Sequence, residues 1–423
     1  MAKIRVSGPV CLQGDVTVGG SKNSLSAVLP ALCLQDTGSI GTIENVPDIE
    51  DVRSFQSIFR ELGMELTYDC REKRITVTGS INNTEISKES AGKIRASNLF
   101  LGALTASQGA ARIPFPGGDR LGGRPQDIHL YVLEKFGIQV EADCEAVVCQ
   151  AKQYPLRGQN IFLRYPSVGA TENAILLASK AKGETYIYNA ACEPEIIDMV
   201  IVLNGMGARI SGAGTPVIHV HGVERLQGIR HELIPDRLEC ATYMLAFAMT
   251  GGKGRVLGVI PEHNFATISI LRDCGVRIEN RDDVIGIDAS GRIFDKLNIH
   301  ALPYPGVATD IQPLFSALSV LCHGRSVIRD SVFPNPFWQA EQFEKMGIKS
   351  EQKNDRLEIE GPQCIFPAEV DGGDIRTTMC LVLAGLAAEG DTIVDGYEHI
   401  RRGYDNFAGK LRSLGANLAI LPD

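Results

Sequence analysis

The sequence predicts an α/β protein of two domains, assembled from six copies of one repeating unit. Three observations carry this expectation. The chain has 423 residues, 44% of them hydrophobic, which exceeds the size at which a single core stops growing. A helical pattern ending in an apolar-Gly turn and passing into a short strand recurs six times. A second set of six helices, apolar nearly all round and therefore buried, falls in the same rhythm.

In chain order the turn copies read FRELGMEL, LEKFGIQV, LNGMGARI, LRDCGVRI, FEKMGIKS and LRSLGANL. Their glycines are Gly63, Gly137, Gly207, Gly275, Gly347 and Gly415, spaced by about seventy residues. Each sits where a helix needs a C′ residue of positive φ, and the alternating residues that follow suit a half-buried strand. The buried set reads SKNSLSAVLPALCLQ, IRASNLFLGALTAS, ATENAILLASKA, DRLECATYMLAFAM, TDIQPLFSALSVLC and DIRTTMCLVLAGLAA.

The buried helices open with Lys22 and Asn23, Arg95, Thr171 and Glu172, Asp236 and Arg237, Asp310, and Asp374 with Arg376. If they run parallel inside two three-unit domains, their N-termini converge, and such ends bind anions through unpaired amide hydrogens and the helix dipole. Ordinary capping accounts for Ser, Thr and Asp at these places. It does not account for Arg and Lys, which the dipole repels. Cations at several such ends point to an anionic ligand.

Composition narrows the function. Lys and Arg number 42 against 51 Asp and Glu, a net charge of −9, which argues against a nucleic-acid surface and requires any bound anion to meet a local cluster of cations. The eleven cysteines are scattered, with no CxxC pair or zinc spacing, as in a reducing compartment. The start, MAKIRVSGPV, lacks a signal-peptide pattern, and no apolar run is long enough to span a membrane. A soluble cytoplasmic protein is expected. No cofactor is expected either: VGGSKNS lacks phosphate-loop spacing and no GxGxxG follows a strand. His219 and His221 share one face of a strand and, without a Cys or carboxylate partner, read as structural rather than as metal ligands.

With six βαβαββ-type units in place, GGSKNS, IRASNLFLGAL, PGGDRLGGRPQDIH, PSVGATEN, NAACEPEIID, IPDRLE, ATDIQP, DIRTTMCLVLAG and HIRRGYDNF, in this order from Val6 to Asn417, resemble the enolpyruvyl transferases. The shikimate-pathway members would show a GNAGT run and Lys-Ser in place of Lys-Asn, so the resemblance favours the nucleotide-sugar branch. It implies an inside-out α/β barrel in two domains, three repeats per domain, each a bundle of buried helices walled by three four-stranded sheets, with the active site in the cleft between them. Residues 1–21 with 235–423 form the first domain. Residues 22–234 form the second and carry the 113–129 lid loop, with hinges near Ser21 and Ile234.

The implied reaction joins phosphoenolpyruvate to the 3-hydroxyl of UDP-N-acetylglucosamine by addition and loss of phosphate, the first committed step of peptidoglycan precursor synthesis, with consequences for cell shape and cell cycle. By the resemblance, Lys22, Arg124 and Arg402 hold the phosphate, Arg376 and Arg402 meet the carboxylate, and Asn23 lies beside them. A guanidinium can grip either group with two parallel hydrogen bonds. Asp310 accepts the proton of the attacking hydroxyl, although from its position alone it reads as a helix N-cap. The nucleotide sugar falls to Asn23, Arg95, Arg124, Pro125, Gln126, Asp127, Ile128, Ser167, Val168, Gly169, Asp310 and Val332, with apolar contact to the uracil near Pro125 and Ile128.

The stretch Ile113–His129 matches the family's mobile loop, whose glycines 117, 118, 122 and 123 permit large φ/ψ changes. Most members carry a cysteine where this chain has Asp119. A thiolate is a strong nucleophile that the epoxide fosfomycin alkylates, whereas a carboxyl is a weak nucleophile and a competent proton donor. Asp119 is therefore expected to be the general acid/base, in an enzyme insensitive to fosfomycin. Three departures touch the acceptor: Tyr165, Cys192 where Arg is usual, and Pro336 in FPNPF where Arg is expected. An acceptor such as UMP in secondary metabolism, or a paralogue that binds a nucleotide sugar without catalysis, are the alternatives.

Overall fold

The computed structural model describes residues 2–422 apart from 118–125, 143–144, 292 and 334–335. The described residues gather into two compact units. One runs to Gly19 and resumes at Pro235, and the other lies between Gly20 and Ile234.

Each unit is built from inside outward. In the Gly20–Ile234 unit the inner helices are Lys22–Leu32, Phe100–Gln108 and Val168–Lys180. In the other unit they are Arg237–Met249, Gln312–Ser319 and Ile375–Ala387. Buried runs such as Tyr243 to Ala248 and Met379 to Ala384 show why these sequences are apolar all round: a helix enclosed on every side has no face to give to water. Helices such as Glu50–Glu61 and Phe265–Asp273 are amphipathic, burying Phe55, Ile58 and Phe59 in one case and Ile268 and Leu271 in the other.

The six turn glycines adopt positive φ: 85° at Gly63, 76° at Gly137, 112° at Gly207, 107° at Gly275, 72° at Gly347 and 100° at Gly415. Only a residue without Cβ enters this region without cost, so the spacing of these glycines marks where each outer helix must stop and its strand begin.

The strands form separate sheets that flank the inner helices, so that the barrel is one of helices inside and sheets outside rather than a closed ring of strands. Among the described residues five of these sheets have four strands, not six as the resemblance implied. In each of the five, one edge strand joins in parallel to an otherwise antiparallel set, as Asn160–Phe162 does on Glu184–Tyr188 and Glu369–Asp371 does on Gly390–Asp395. The sixth, built from Ala110–Pro114, Ala146–Ala151 and Ile138–Ala142, has three strands. The fourth strand is reduced there to a single parallel bridge between Glu85 and Arg112, since the helix at Lys88–Ala91 follows at once. Strand and helix also claim both ends of the Ile113–His129 stretch: Ile113 and Pro114 pair in the sheet, and the Asp127–Lys135 helix starts before its end.

His219 and His221 lie on the strand Val217–His221. The expectation that they lack a carboxylate neighbour is corrected: Glu184, directly opposite His221, places an oxygen 3.9 Å from each ring. His219 also stacks on Tyr186 with centroids 4.4 Å apart.

Candidate active site

Within the Gly20–Ile234 unit, Lys22 is the first residue of its helix, capped by Ser21, whose hydroxyl accepts from Ser24 N. Its Nζ lies 3.4 Å from Asp51 on the next helix. Asn23 beside it is exposed. The helix start is anchored from below by a buried carboxylate: Asp198 accepts from the Ser24 hydroxyl, lies 2.7 Å from His231 Nε2 and receives Ile234 N at 3.5 Å. One acidic side chain thus fixes the segment that presents Lys22 and the strand that ends the unit.

Arg95 opens a short 3-10 turn before Phe100–Gln108. Its charge acts on buried His129, whose pKa falls to about 4, first through desolvation and then through Arg95, against the opposite pull of Asp127. The ring is held neutral, and its tautomer follows from its neighbour. Asn173 Oδ1 accepts from Gly102 N, so Asn173 Nδ2 faces His129 Nδ1 at 2.8 Å as a donor. His129 therefore carries its hydrogen on Nε2. That nitrogen packs on Gly169, where an added Cβ would lie 3.2 Å from Nε2 and 2.8 Å from Cε1. The Ser167, Val168 and Gly169 start of the third inner helix, capped by Ser167, is thereby brought beside His129 and the field of Arg95. Asp127 is exposed and paired with Arg164 at 2.7 Å. Gln126 and Ile128 are half-buried, Ile128 packing on the core.

Behind this helix start lies a feature the sequence reading passed over. Glu172, Glu193 and Glu195 are all buried. Desolvation, then the charges of Glu195 and Glu193, push the Glu172 carboxyl up to about 8. Cys192, half-exposed, is pushed up as well by burial and by Glu193.

In the other unit the three inner helix starts converge. Asp236 caps the first, accepting from Leu238 N and Glu239 N, and Asp374 caps the third, accepting from Arg376 N and Thr377 N. The second behaves differently. Its N-cap is Ile311, with no side-chain cap, so Asp310 is not the N-cap that its position suggested. Tyr404 reports the convergence: its hydroxyl bonds Thr242 at 2.8 Å. Burial, and the carboxylates of Asp236, Glu239 and Asp310, hold its pKa above the ordinary range.

Arg376 is buried, its side chain 3% exposed. Nη1 donates to Thr309 Oγ1 at 3.2 Å, Nη2 lies 3.5 Å from Asp374, and the guanidinium sits 5.0 Å above the Phe333 ring. Its Nε–H has no partner among the described residues. Arg402 lies in the short helix Tyr397–Gly403, half-buried and two residues before Tyr404. Val332 donates its backbone N–H to Asp330.

The cations at helix starts are therefore offset partly from within, Lys22 by Asp51 and Arg376 by Asp374, so their presence alone does not require an external anion. Asp119, Arg124 and Pro125 lie outside the described residues. Of the departures, Tyr165 is exposed and Pro336 is buried. The residues that reading the sequence missed are Asp51, Thr309, Asp330, Phe333 and Asp198. Thr309 stood inside ATDIQP, Asp198 at the end of NAACEPEIID and Phe333 at the start of FPNPF, but nothing in the sequence marks Asp51 or Asp330.

The family profile of EPSP synthase (3-phosphoshikimate 1-carboxyvinyltransferase) matches residues 6–411. A relative from Finegoldia magna named UDP-N-acetylglucosamine 1-carboxyvinyltransferase is 40% identical over 99% of this chain and 98% of its own length. Another, UDP-N-acetylglucosamine 1-carboxyvinyltransferase 2 of Bacillus anthracis, is 39% identical over 99% and 96%. Among solved structures, the enolpyruvyl transferase NikO from Streptomyces tendae superimposes with a TM-score of 0.89 at 26% identity, covering 99% of both chains. EPSP synthase from Acinetobacter baumannii shares the fold at a TM-score of 0.78 and 19% identity, over the whole of both chains. A match spanning nearly every residue, with Lys22, Arg95 and buried Arg376 at helix starts where the motifs fall, leaves one conclusion: this chain belongs to the EPSP synthase family and is an enolpyruvyl (carboxyvinyl) transferase.

Proposed function

We propose that the chain transfers the enolpyruvyl group of phosphoenolpyruvate to the 3-hydroxyl of UDP-N-acetylglucosamine with release of phosphate, the first committed step of peptidoglycan precursor synthesis, in the cytoplasm. The observation that carries this reading is Arg376: a guanidinium removed from water, gripped on one side by Thr309 next to Asp310, and keeping an Nε–H unpartnered among the described residues. Buried donors without partners are rare, and a substrate carboxylate would satisfy this one. Lys22, Arg124 and Arg402 would hold the phosphate. The names of the relatives favour the nucleotide sugar as acceptor.

In this reading Asp310 takes the proton of the 3-hydroxyl as its oxygen bonds to the central carbon of phosphoenolpyruvate. Asp119 gives a proton to the methylene carbon during addition and removes one as phosphate leaves. Asp310 passes its proton to the departing phosphate, which leaves as hydrogen phosphate when its C–O bond breaks, so that both carboxyls end the cycle in the state in which they began it. Asn23, Arg95, Gln126, Asp127, Ile128, the Ser167–Gly169 helix start and Val332 would orient the nucleotide sugar, with the backbone amides of that helix start facing its phosphates. Because position 119 is a carboxyl, the enzyme should resist alkylation by fosfomycin.

Cys192 and Pro336 favour a second acceptor reading, a simpler uridine nucleotide such as UMP. Phosphate release from phosphoenolpyruvate, measured with UDP-N-acetylglucosamine, UDP-glucose, UMP and uridine, separates the two. Turnover with UDP-N-acetylglucosamine alone is the expected result. Turnover confined to UMP would replace the first reading with the second, and no release with any acceptor would remove both.

A further inference from the structure

We propose that Thr309 and Asp330 are positioning residues that aim the Arg376 guanidinium and thereby set the affinity for the carboxylate of the small anionic substrate, an inference that rests on the carboxylate role given to Arg376 above. Asp330 is buried, with 4% of its surface exposed. Its Oδ1 accepts from Val332 N at 2.8 Å and from Phe333 N at 3.4 Å, while its Oδ2 accepts from the Thr309 hydroxyl at 2.6 Å. With the Thr309 hydrogen committed to Asp330, the remaining lone pairs of its oxygen face Arg376 Nη1 at 3.2 Å. A guanidinium can only donate, so the relay has one workable direction.

Asp330 also fixes the backbone of Phe333, whose ring lies 5.0 Å from the Arg376 Cζ. Two of the supports of Arg376, the hydroxyl at its Nη1 end and the aromatic face, thus trace to one carboxylate on a different strand. Nη1 is occupied, and the Nε side of the guanidinium is the side whose N–H lacks a partner among the described residues. Nη2 gives one hydrogen to Asp374 at 3.5 Å, and its second hydrogen with the Nε–H makes the edge whose two donors match the spacing of a carboxylate. Rotation of the planar group by tens of degrees would lose this match, and small misplacements at such contacts are costly.

The test compares wild type with Thr309→Val, Thr309→Ser and Asp330→Asn. It measures KM for phosphoenolpyruvate, KM for the nucleotide acceptor, inhibition by inorganic phosphate and thermal midpoint. Thr309→Val should raise the phosphoenolpyruvate KM about 10-fold or more, the value of one charge-assisted hydrogen bond. Inhibition by phosphate, which has no carboxylate, and the acceptor KM should stay at their wild-type values, and Thr309→Ser should recover most of the loss. Asp330→Asn sets an N–H where an acceptor is needed and should act alike, with little further effect in a Thr309→Val background. An unchanged phosphoenolpyruvate KM in Thr309→Val, or equal losses toward phosphate and acceptor, would overturn the relay. A wild type inactive toward phosphoenolpyruvate would instead overturn the carboxylate role itself.

Discussion

At the scale of single residues, on the proposed reading the carboxyl at position 119, where the family resemblance implies a thiol, would decide the chemistry available to that position. A carboxyl can pass a proton but is a far weaker nucleophile toward an epoxide than a thiolate is. Asp119→Ala is expected to lower kcat by about 100-fold, the typical contribution of a general acid/base, and Asp119→Cys to become sensitive to fosfomycin. Steady-state assays with and without the epoxide check both, and normal turnover in the alanine variant would remove Asp119 from the mechanism. Arg376 makes a contrasting case. Its place in DIRTTM made it a candidate from the sequence, whereas its partners Thr309 and Phe333, and the Asp330 behind them, come from distant segments whose meeting no local pattern records.

At the scale of elements, the helix Val168–Lys180 carries a burden that periodicity hid. Glu172 reads as a polar first-turn residue in ATEN, yet it is enclosed with Glu193 and Glu195, and its pKa rises from 4.5 to about 8. A carboxyl whose folded pKa exceeds its unfolded one adds stability fully below the unfolded value. That stability is lost as pH climbs toward the folded value. Folding should therefore weaken between about pH 4.5 and pH 8. Glu172→Gln should remove the dependence, so its denaturant midpoint should gain on wild type steadily from pH 5 to pH 8, by on the order of a few kcal/mol at the upper end. Parallel curves for the two proteins across that range would contradict the buried cluster. Helix ends, by contrast, were readable: each turn glycine shows the positive φ its place in the sequence required.

At the scale of the whole molecule, the thiols test how completely each core is closed. Cys33, Cys149, Cys240, Cys274, Cys322 and Cys380 are buried, while Cys11, Cys70 and Cys364 are exposed. Burial raises the Cys149 and Cys322 thiols to about 12 and the Cys274 thiol to about 11, so they present little thiolate to a reagent. Labelling of native protein with a thiol-disulfide reagent, read by mass spectrometry, should modify Cys11, Cys70 and Cys364 first and reach the buried six only on unfolding. Early labelling of Cys240 or Cys322 would mean that the inner helices open far more readily than their packing indicates. No described helix is long and apolar enough to cross a membrane.

The sequence by itself determined the repeat, the helices that are buried, the glycines that end the outer ones and the family motifs, because each of these is written in local spacing: period, chirality and the missing Cβ act within a few residues. Tertiary structure alone decided that the sixth sheet has three strands among the described residues, that Asp310 does not cap its helix, that Glu184 faces His219 and His221, that Asp198 anchors the segment bearing Lys22, and that Asp330 holds the Thr309 hydroxyl beside Arg376. These outcomes depend on which charges and hydrogen-bond partners meet across long stretches of chain. Burial magnifies such meetings, and the order of residues along the chain does not encode them in any pattern short enough to read.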